Sequence, residues 1–260
     1  AFIGSECHPF VKTGGLGDVM YALPRELVKQ NCDVRVILPR YACIPQKYQD
    51  QMVYRGEFYM DLGETGRSYY VGIMEYICDG VVYDFIDNQE FFSAGNPYIS
   101  LVDDIPKYCY FSKAALAALN FMNWIPDIIH CHGWMTALAP LYIKKAYKDE
   151  PSFRDAKVIF SLYEDDFKQP FHADFSNKLL LKGIAKKDIA GLKEPIDYTA
   201  LCKLAADFSD GIIQQSEHVN EEVLNYARES GKPVLEYQSP ENFAEACNDF
   251  YDKVWETEQK

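Results

Sequence analysis

Val11-Lys12-Thr13-Gly14-Gly15-Leu16-Gly17-Asp18-Val19-Met20-Tyr21-Ala22-Leu23-Pro24 places three glycines in four positions, with a lysine ahead of them and an amphipathic segment behind. The short apolar run Ala1-Phe2-Ile3 comes earlier. Strand, glycine loop and helix start, in that order, let a backbone approach an anion. Glycine removes side-chain bulk, the first helical N–H groups point outward unpaired, and the helix dipole favours negative charge. Lys12 adds a full positive charge. The spacing is neither Gly-x-x-x-x-Gly-Lys-Ser/Thr nor Gly-x-Gly-x-x-Gly. Chemistry alone therefore leaves two readings open, an anion cradle and a tight turn beside a solvated lysine.

Outward from the loop, Val19, Leu23 and Leu27 recur at four-residue spacing, which predicts a helix from Asp18 to Gln30 with a kink at Pro24. Asp33 to Leu38 then reads as a strand ended by Pro39. The first 39 residues thus form a β-α-β unit with parallel strands, and the glycine loop lies at the carboxyl end of the first, where open α/β sheets bind ligands. Tyr54 to Leu62, Tyr69 to Tyr76 and Val81 to Ile86 are β-rich, and Asp79-Gly80 is a hairpin signal, so this part is an antiparallel excursion. Asp87-Asn88 and Gly95-Asn96-Pro97-Tyr98 bracket the aromatic pair Phe91-Phe92. By residue type alone they are turn chemistry around core aromatics.

Further on, Tyr108, Phe111, Ala115 and Leu119 mark a helix, Asp127-Ile128-Ile129 a strand running into His130-Cys131-His132, and Lys157 to Ser161 another strand. A helix from Asp197, a strand at Gly211 and a helix from Asn220 ending near Gly231 follow. This alternation predicts an α/β fold with a doubly wound, Rossmann-like parallel sheet. Ser239-Pro240-Glu241 reads as a capped helix start, and Phe243, Ala246, Cys247, Phe250, Tyr251 and Val254 form one apolar stripe. We therefore expect a domain over residues 1–238 and a terminal helix, residues 239–260, folding back on it.

The 260 residues carry a formal charge of −13, which argues against nucleic acid or an anionic membrane as partner but does not repel a neutral sugar polymer. Eight cysteines lack any Cys-x-x-Cys spacing, which points to a reducing cytosol without disulfides. No apolar run nears the roughly 18 residues of a membrane span, and no signal peptide is visible. Because the chain opens inside an apolar strand, a few residues are expected ahead of Ala1. His130 and His132 share one strand face, but two ligands without a third make a poor zinc site, and no metal is expected.

The string Lys12-Thr13-Gly14-Gly15-Leu16-Gly17-Asp18-Val19, with Ser5-Glu6-Cys7-His8-Pro9-Phe10 before it, resembles the N-terminal signature of bacterial glycogen synthases and plant starch synthases, glycosyltransferase family 5. These are retaining glucosyltransferases of the two-domain GT-B type. The resemblance implies that this chain is one half of such a fold, the acceptor-side domain. It implies that Lys12, Thr13, Gly14 and Gly15 meet the donor phosphate and sugar, and that Asp18 and Glu6 stand in the cleft. His132 matches the histidine that contacts the donor glucose, which makes His132 and Lys12 the catalytic pair. Asp87, Asn96 and Tyr98 match a segment lining the cleft. The residues themselves also allow Asp18 as a helix-start acid, Glu6 as a solvated loop acid and Trp134 as packing.

The chain departs from the family at several points. Gly133 and Met135 replace an acid and a His or Gln, Ser161-Leu162-Tyr163-Glu164-Asp165-Asp166 replaces a Thr-Ile-His-Asn segment, and Glu217-His218-Val219 follows Ser216. His218 reads as an exposed helix-start residue. The cationic residues of the family's nucleotide-gripping domain have no match here. Two functions follow. One is transfer of glucose from a nucleotide sugar, ADP-glucose ahead of UDP-glucose, to an α-1,4-glucan, with a second protein chain completing the donor site. The other is a non-catalytic module binding glucan or nucleotide sugar. No cofactor is expected, and the compartment is the cytoplasm.

Overall fold

The computed structural model describes residues 1–63, 66–93, 105–167, 170–171, 175–178 and 181–257. Among these, the strands form one sheet of nine. They are β1 (Phe2–Ile3), β2 (Arg35–Pro39), β3 (Val53–Asp61), β4 (Ser68–Cys78), β5 (Val81–Asp87), β6 (Ile128–His132), β7 (Lys157–Leu162), β8 (Gly211–Gln214) and β9 (Val234–Leu235), in the spatial order β3-β4-β5-β2-β1-β6-β7-β8-β9. From β5 through β9 every neighbouring pair is parallel. The expected antiparallel excursion extends the same sheet, because β5 pairs parallel with β2 while β3-β4 and β4-β5 run antiparallel. Asp79 and Gly80 both take positive φ, as a tight hairpin turn requires.

The first helix, α1 (Gly15–Lys29), holds Pro24 within it. Its core stripe is Met20, Leu23 and Leu27, and Val19 is only half-buried, one position off the stripe read from spacing. The cause is close packing on β1. A Cβ at Gly4 would lie 2.7 Å from Met20 Cε, so the methionine fills the space that this glycine leaves. The helix α2 (Ile105–Phe121) buries Tyr108, Phe111, Ala115 and Leu119, as their spacing requires. Helices α3 (Tyr198–Asp207) and α4 (Glu221–Glu229) follow β7 and β8, and side chains of Asp197 and Asn220 cap their first turns.

The last helix, α5 (Phe243–Glu256), starts later than Ser239-Pro240-Glu241 suggested. The Asn242 N–H donates to the Ser239 carbonyl at 3.0 Å, so those residues close a turn instead of capping the helix. The stripe itself packs: Cys247, Phe250, Tyr251 and Val254 are buried. Gly211 lets α5 lie directly on β8, since a Cβ there would come within 2.8 Å of Val254 Cγ2. A polar latch adds to this contact. The Tyr251 hydroxyl is 2.7 Å from His130 Nδ1, and His130 Nε2 meets the Ser161 hydroxyl. Tyr251→Phe leaves a fully buried imidazole nitrogen without a partner. We expect a loss of about 1–2 kcal/mol, read as a lower urea midpoint, and an unchanged midpoint would show that the latch does not hold the helix.

Candidate functional site

The strand order changes direction between β1 and β6, and open α/β sheets form their ligand crevice beyond the carboxyl ends of strands at such a point. A cleft of about 560 Å³ lies there. Its walls come from four strand ends, the fourth contributing Ser216 after β8. Ser5 and Glu6 follow β1 and lead to the glycine loop, Gly133 to Met135 follow β6, and Tyr163 to Asp166 follow β7.

Glu6 builds the loop. Only 1 % exposed, its carboxylate accepts the Thr13 N–H at 3.0 Å and the Thr13 hydroxyl at 2.6 Å on one oxygen. The other oxygen accepts the N–H groups of Gly14 at 3.1 Å and Gly17 at 3.0 Å. Gly17 is glycine for packing, because a Cβ there would sit 3.0 Å from Lys12 Cγ and 3.2 Å from Glu6 Oε1. Gly14 and Gly15 differ. A Cβ on either would meet nothing within 4 Å, Gly14 has extended backbone at φ −159, and neither has positive φ. Their missing side chains leave open space facing the cleft. Among the described residues the Gly15 and Leu16 N–H groups, which open α1, meet no acceptor.

Several sequence candidates lie away from this space. Lys12 pairs with Asp18 at 2.8 Å, both well exposed, and neither lines the cleft. Asp87 ends β5 and pairs with Arg40 at 3.3 Å. Asn96 and Tyr98 lie outside the described residues. His132 is fully buried one residue behind the wall. Its ring stacks on Phe2 and against His130, with ring centres 5.0 and 3.8 Å away. Its Nδ1 is 2.7 Å from the Tyr163 hydroxyl, and its Nε2 is buried without a partner. Burial lowers its pKa to about 3, so it is neutral. Tyr163, which does line the cleft, stands between this imidazole and the ligand space.

Residue type at position 133 follows from geometry. Gly133 has φ +78, and a Cβ would lie 2.7 Å from Leu16 Cδ1 and 3.3 Å from Asp165 Oδ2. Asp165 is thus brought over the position where residue 133 would carry a side chain. Its Oδ1 accepts the Tyr198 hydroxyl of α3 at 2.6 Å. Burial raises its pKa to about 6, against the lowering effect of Tyr198 and the Trp134 N–H. Reading residue types did not single out Asp165 or Tyr198. The available signal was the run Glu164-Asp165-Asp166 directly after a buried strand. Among the described residues no three His, Cys, Asp or Glu side chains converge as a metal site requires, and no helix is long and apolar enough to cross a membrane.

Comparison with known proteins places these features in a family. The family model described as the starch synthase catalytic domain matches residues 1–236. The chain is similar to the glycogen synthase of Lachnospira eligens, 39% identical over 235 residues that cover 89% of this chain and 46% of that protein. To the glycogen synthase of Clostridium botulinum (strain Alaska E43 / Type E3) it is 36% identical over 223 residues, covering 85% and 46%. The catalytic domain of starch synthase IV from Arabidopsis thaliana, solved with ADP and acarbose bound, superposes with a TM-score of 0.71 at 24% identity, covering 92% of this chain and 50% of that one. The chain spans about half the length of the relatives it matches.

Proposed function

The chain belongs to the starch synthase catalytic domain family, and from that membership we propose that it forms one wall of a glucosyl-transfer site. In this reading glucose passes, with retention, from a nucleotide sugar to the non-reducing end of an α-1,4-glucan. ADP-glucose is the donor of choice, in keeping with the ADP bound in the Arabidopsis relative. Thr13, Gly14 and Gly15 face the donor, the Gly15 and Leu16 N–H groups meet the charge developing on the departing diphosphate, and Lys12 turns from Asp18 to add its cation. His132 acts through the Tyr163 hydroxyl that separates it from the cleft. The eight free thiols suit a reducing cytoplasm.

One observation carries this reading: Gly14 and Gly15 are glycines that the fold itself does not need. Gly15→Ala is therefore expected to leave stability unchanged or raise it by about 0.5–1 kcal/mol, because alanine suits a helix better. The same change should weaken ADP-glucose binding about 10-fold by blocking the backbone approach, a loss of about 1.4 kcal/mol. Calorimetric titration with ADP-glucose, beside labelled-glucose incorporation into glycogen, checks both. A wild-type chain that binds neither donor nor glycogen would refute the reading, as would an alanine variant that binds the donor as tightly as wild type.

The lining of the cleft favours a second reading beside it. Glu6, Glu164, Asp165 and Asp166 line it, and among the described residues no lysine or arginine does. A nucleoside diphosphate needs more cationic charge than Lys12 alone brings, which groups outside this wall would supply, whereas a glucan end can bind this wall alone. Glucan binding by the isolated chain, without turnover, is the outcome that separates a non-catalytic module from a working half.

A further inference from the structure

We propose that Asp165 selects the ligand of this cleft, accepting hydrogen bonds from the hydroxyls of a neutral glucan end and opposing the phosphates of a nucleotide sugar. The inference rests on the reading of the cleft as a synthase-type sugar site. Glu6 and Asp165 both line the cleft. Glu6 is spent on structure, since both of its oxygens hold loop donors. Asp165 uses one oxygen, Oδ1, for Tyr198. Its Oδ2 points over Gly133, into the volume that any other residue at 133 would fill.

That carboxyl is held in place before a ligand arrives. The Tyr198 bond holds it from α3, where Tyr198 is itself 3% exposed, and the Trp134 N–H holds it from the segment after β6. A fixed acceptor at the floor of a cleft is what a sugar hydroxyl needs, and a hydrogen bond to a charged acceptor is about twice as strong as one to a neutral acceptor. The same negative charge, with Glu6, Glu164 and Asp166 around it, repels a diphosphate.

The charged and titratable groups facing Asp165 are Tyr198 and Cys202 from α3, Tyr163, Glu164 and Asp166 from its own segment, and Glu6 across the cleft. Cys202 and Tyr163 stay protonated, both pushed well up by burial. Burial likewise holds Asp165 at about 6, so its ionisation falls within an accessible pH range.

The test is binding of maltoheptaose and of ADP-glucose, each titrated from pH 5 to 8, for the wild-type chain, Asp165→Asn, Tyr198→Phe and Gly15→Ala. We expect wild-type maltoheptaose affinity to fall below pH 6. Asp165→Asn should weaken maltoheptaose about 10-fold at pH 7.5, flatten the pH profile and tighten ADP-glucose several-fold. Tyr198→Phe removes a bond that favours the carboxylate, so it should move the pH midpoint upward without removing it. A merely structural Asp165 would weaken both ligands together and leave the profile in place, and that result overturns the inference. If Gly15→Ala loses ADP-glucose while Asp165→Asn changes neither ligand, the inference falls and the functional reading stands. If the wild-type chain binds neither ligand, both fall.

Discussion

Replacing Glu6 by alanine is expected to destabilise the protein by about 3 kcal/mol or more and to abolish ligand binding at the glycine loop. The side chain is almost fully buried and accepts four hydrogen bonds, three from backbone N–H groups and one from the Thr13 hydroxyl. Bonds to a charged acceptor contribute about 1.5–3 kcal/mol each, and a buried donor left unmatched costs about 1–3 kcal/mol. Exposed Thr13 and Gly14 can turn to water, so the cost falls mainly on Gly17, which is buried against Lys12. The loss should therefore lie well below the sum of four bonds. Glu6→Gln keeps one acceptor oxygen but turns an amide toward the donors, and about half the loss is expected. Urea unfolding checks the first part and ADP-glucose titration the second. An alanine variant within 0.5 kcal/mol of wild type would show that the loop holds its shape without this carboxylate.

Much of the scaffold is legible in residue order because it depends on local periodicity. Alternation alone puts His130 and His132 on one face, and their rings do lie 3.8 Å apart. Asp79-Gly80 has the chemistry of a positive-φ turn and forms one. The site was less legible, since its key contacts join residues remote in sequence through side-chain direction. Glu6 reads equally well as a solvated acid, and only the fold shows that three N–H groups close around it. Lys12 and Asp18 read from the family string as ligand-facing, and in the fold they pair with each other at the surface. Asp165 and Tyr163 enter the cleft from β7, and nothing in the composition of β6 announces that its neighbour will fill the space beside Gly133. The start of α5 was missed for a smaller reason: Ser239-Pro240-Glu241 satisfies a capping pattern and a turn pattern alike.

Acid should expose the second large effect, and it requires the sign of each site. His130 and His132 are buried as neutral rings, His130 held well below the usual imidazole range and His132 at about 3. A base with a depressed folded pKa binds more protons when unfolded. Its contribution is complete above the unfolded value of about 6.5 and is lost as pH falls toward the folded value, at about 1.4 kcal/mol per pH unit for each ring. Asp84 and Asp165 act in the opposite sense. Burial lifts both to about 6, for Asp84 even with the Arg35 guanidinium 2.9 Å away. A carboxyl with a raised folded pKa binds more protons when folded, so it adds stability as pH falls from about 6 to its unfolded value of about 3.9. Two losing and two gaining sites nearly cancel between these limits, and their combined effect on the wild-type protein should be close to flat. Asp84→Asn combined with Asp165→Asn removes the gain and keeps the loss. Arg35 retains Glu75 at 3.6 Å, so the variant keeps an ion pair at that position. Its stability should fall by about 2 kcal/mol between pH 6 and 5 relative to wild type, measured by urea unfolding at pH 7, 6 and 5. Groups common to both proteins drop out of that difference. Equal slopes would mean that the two carboxyls titrate near 4 in the folded protein, and then Asp165 could not tune ligand binding near pH 6 either.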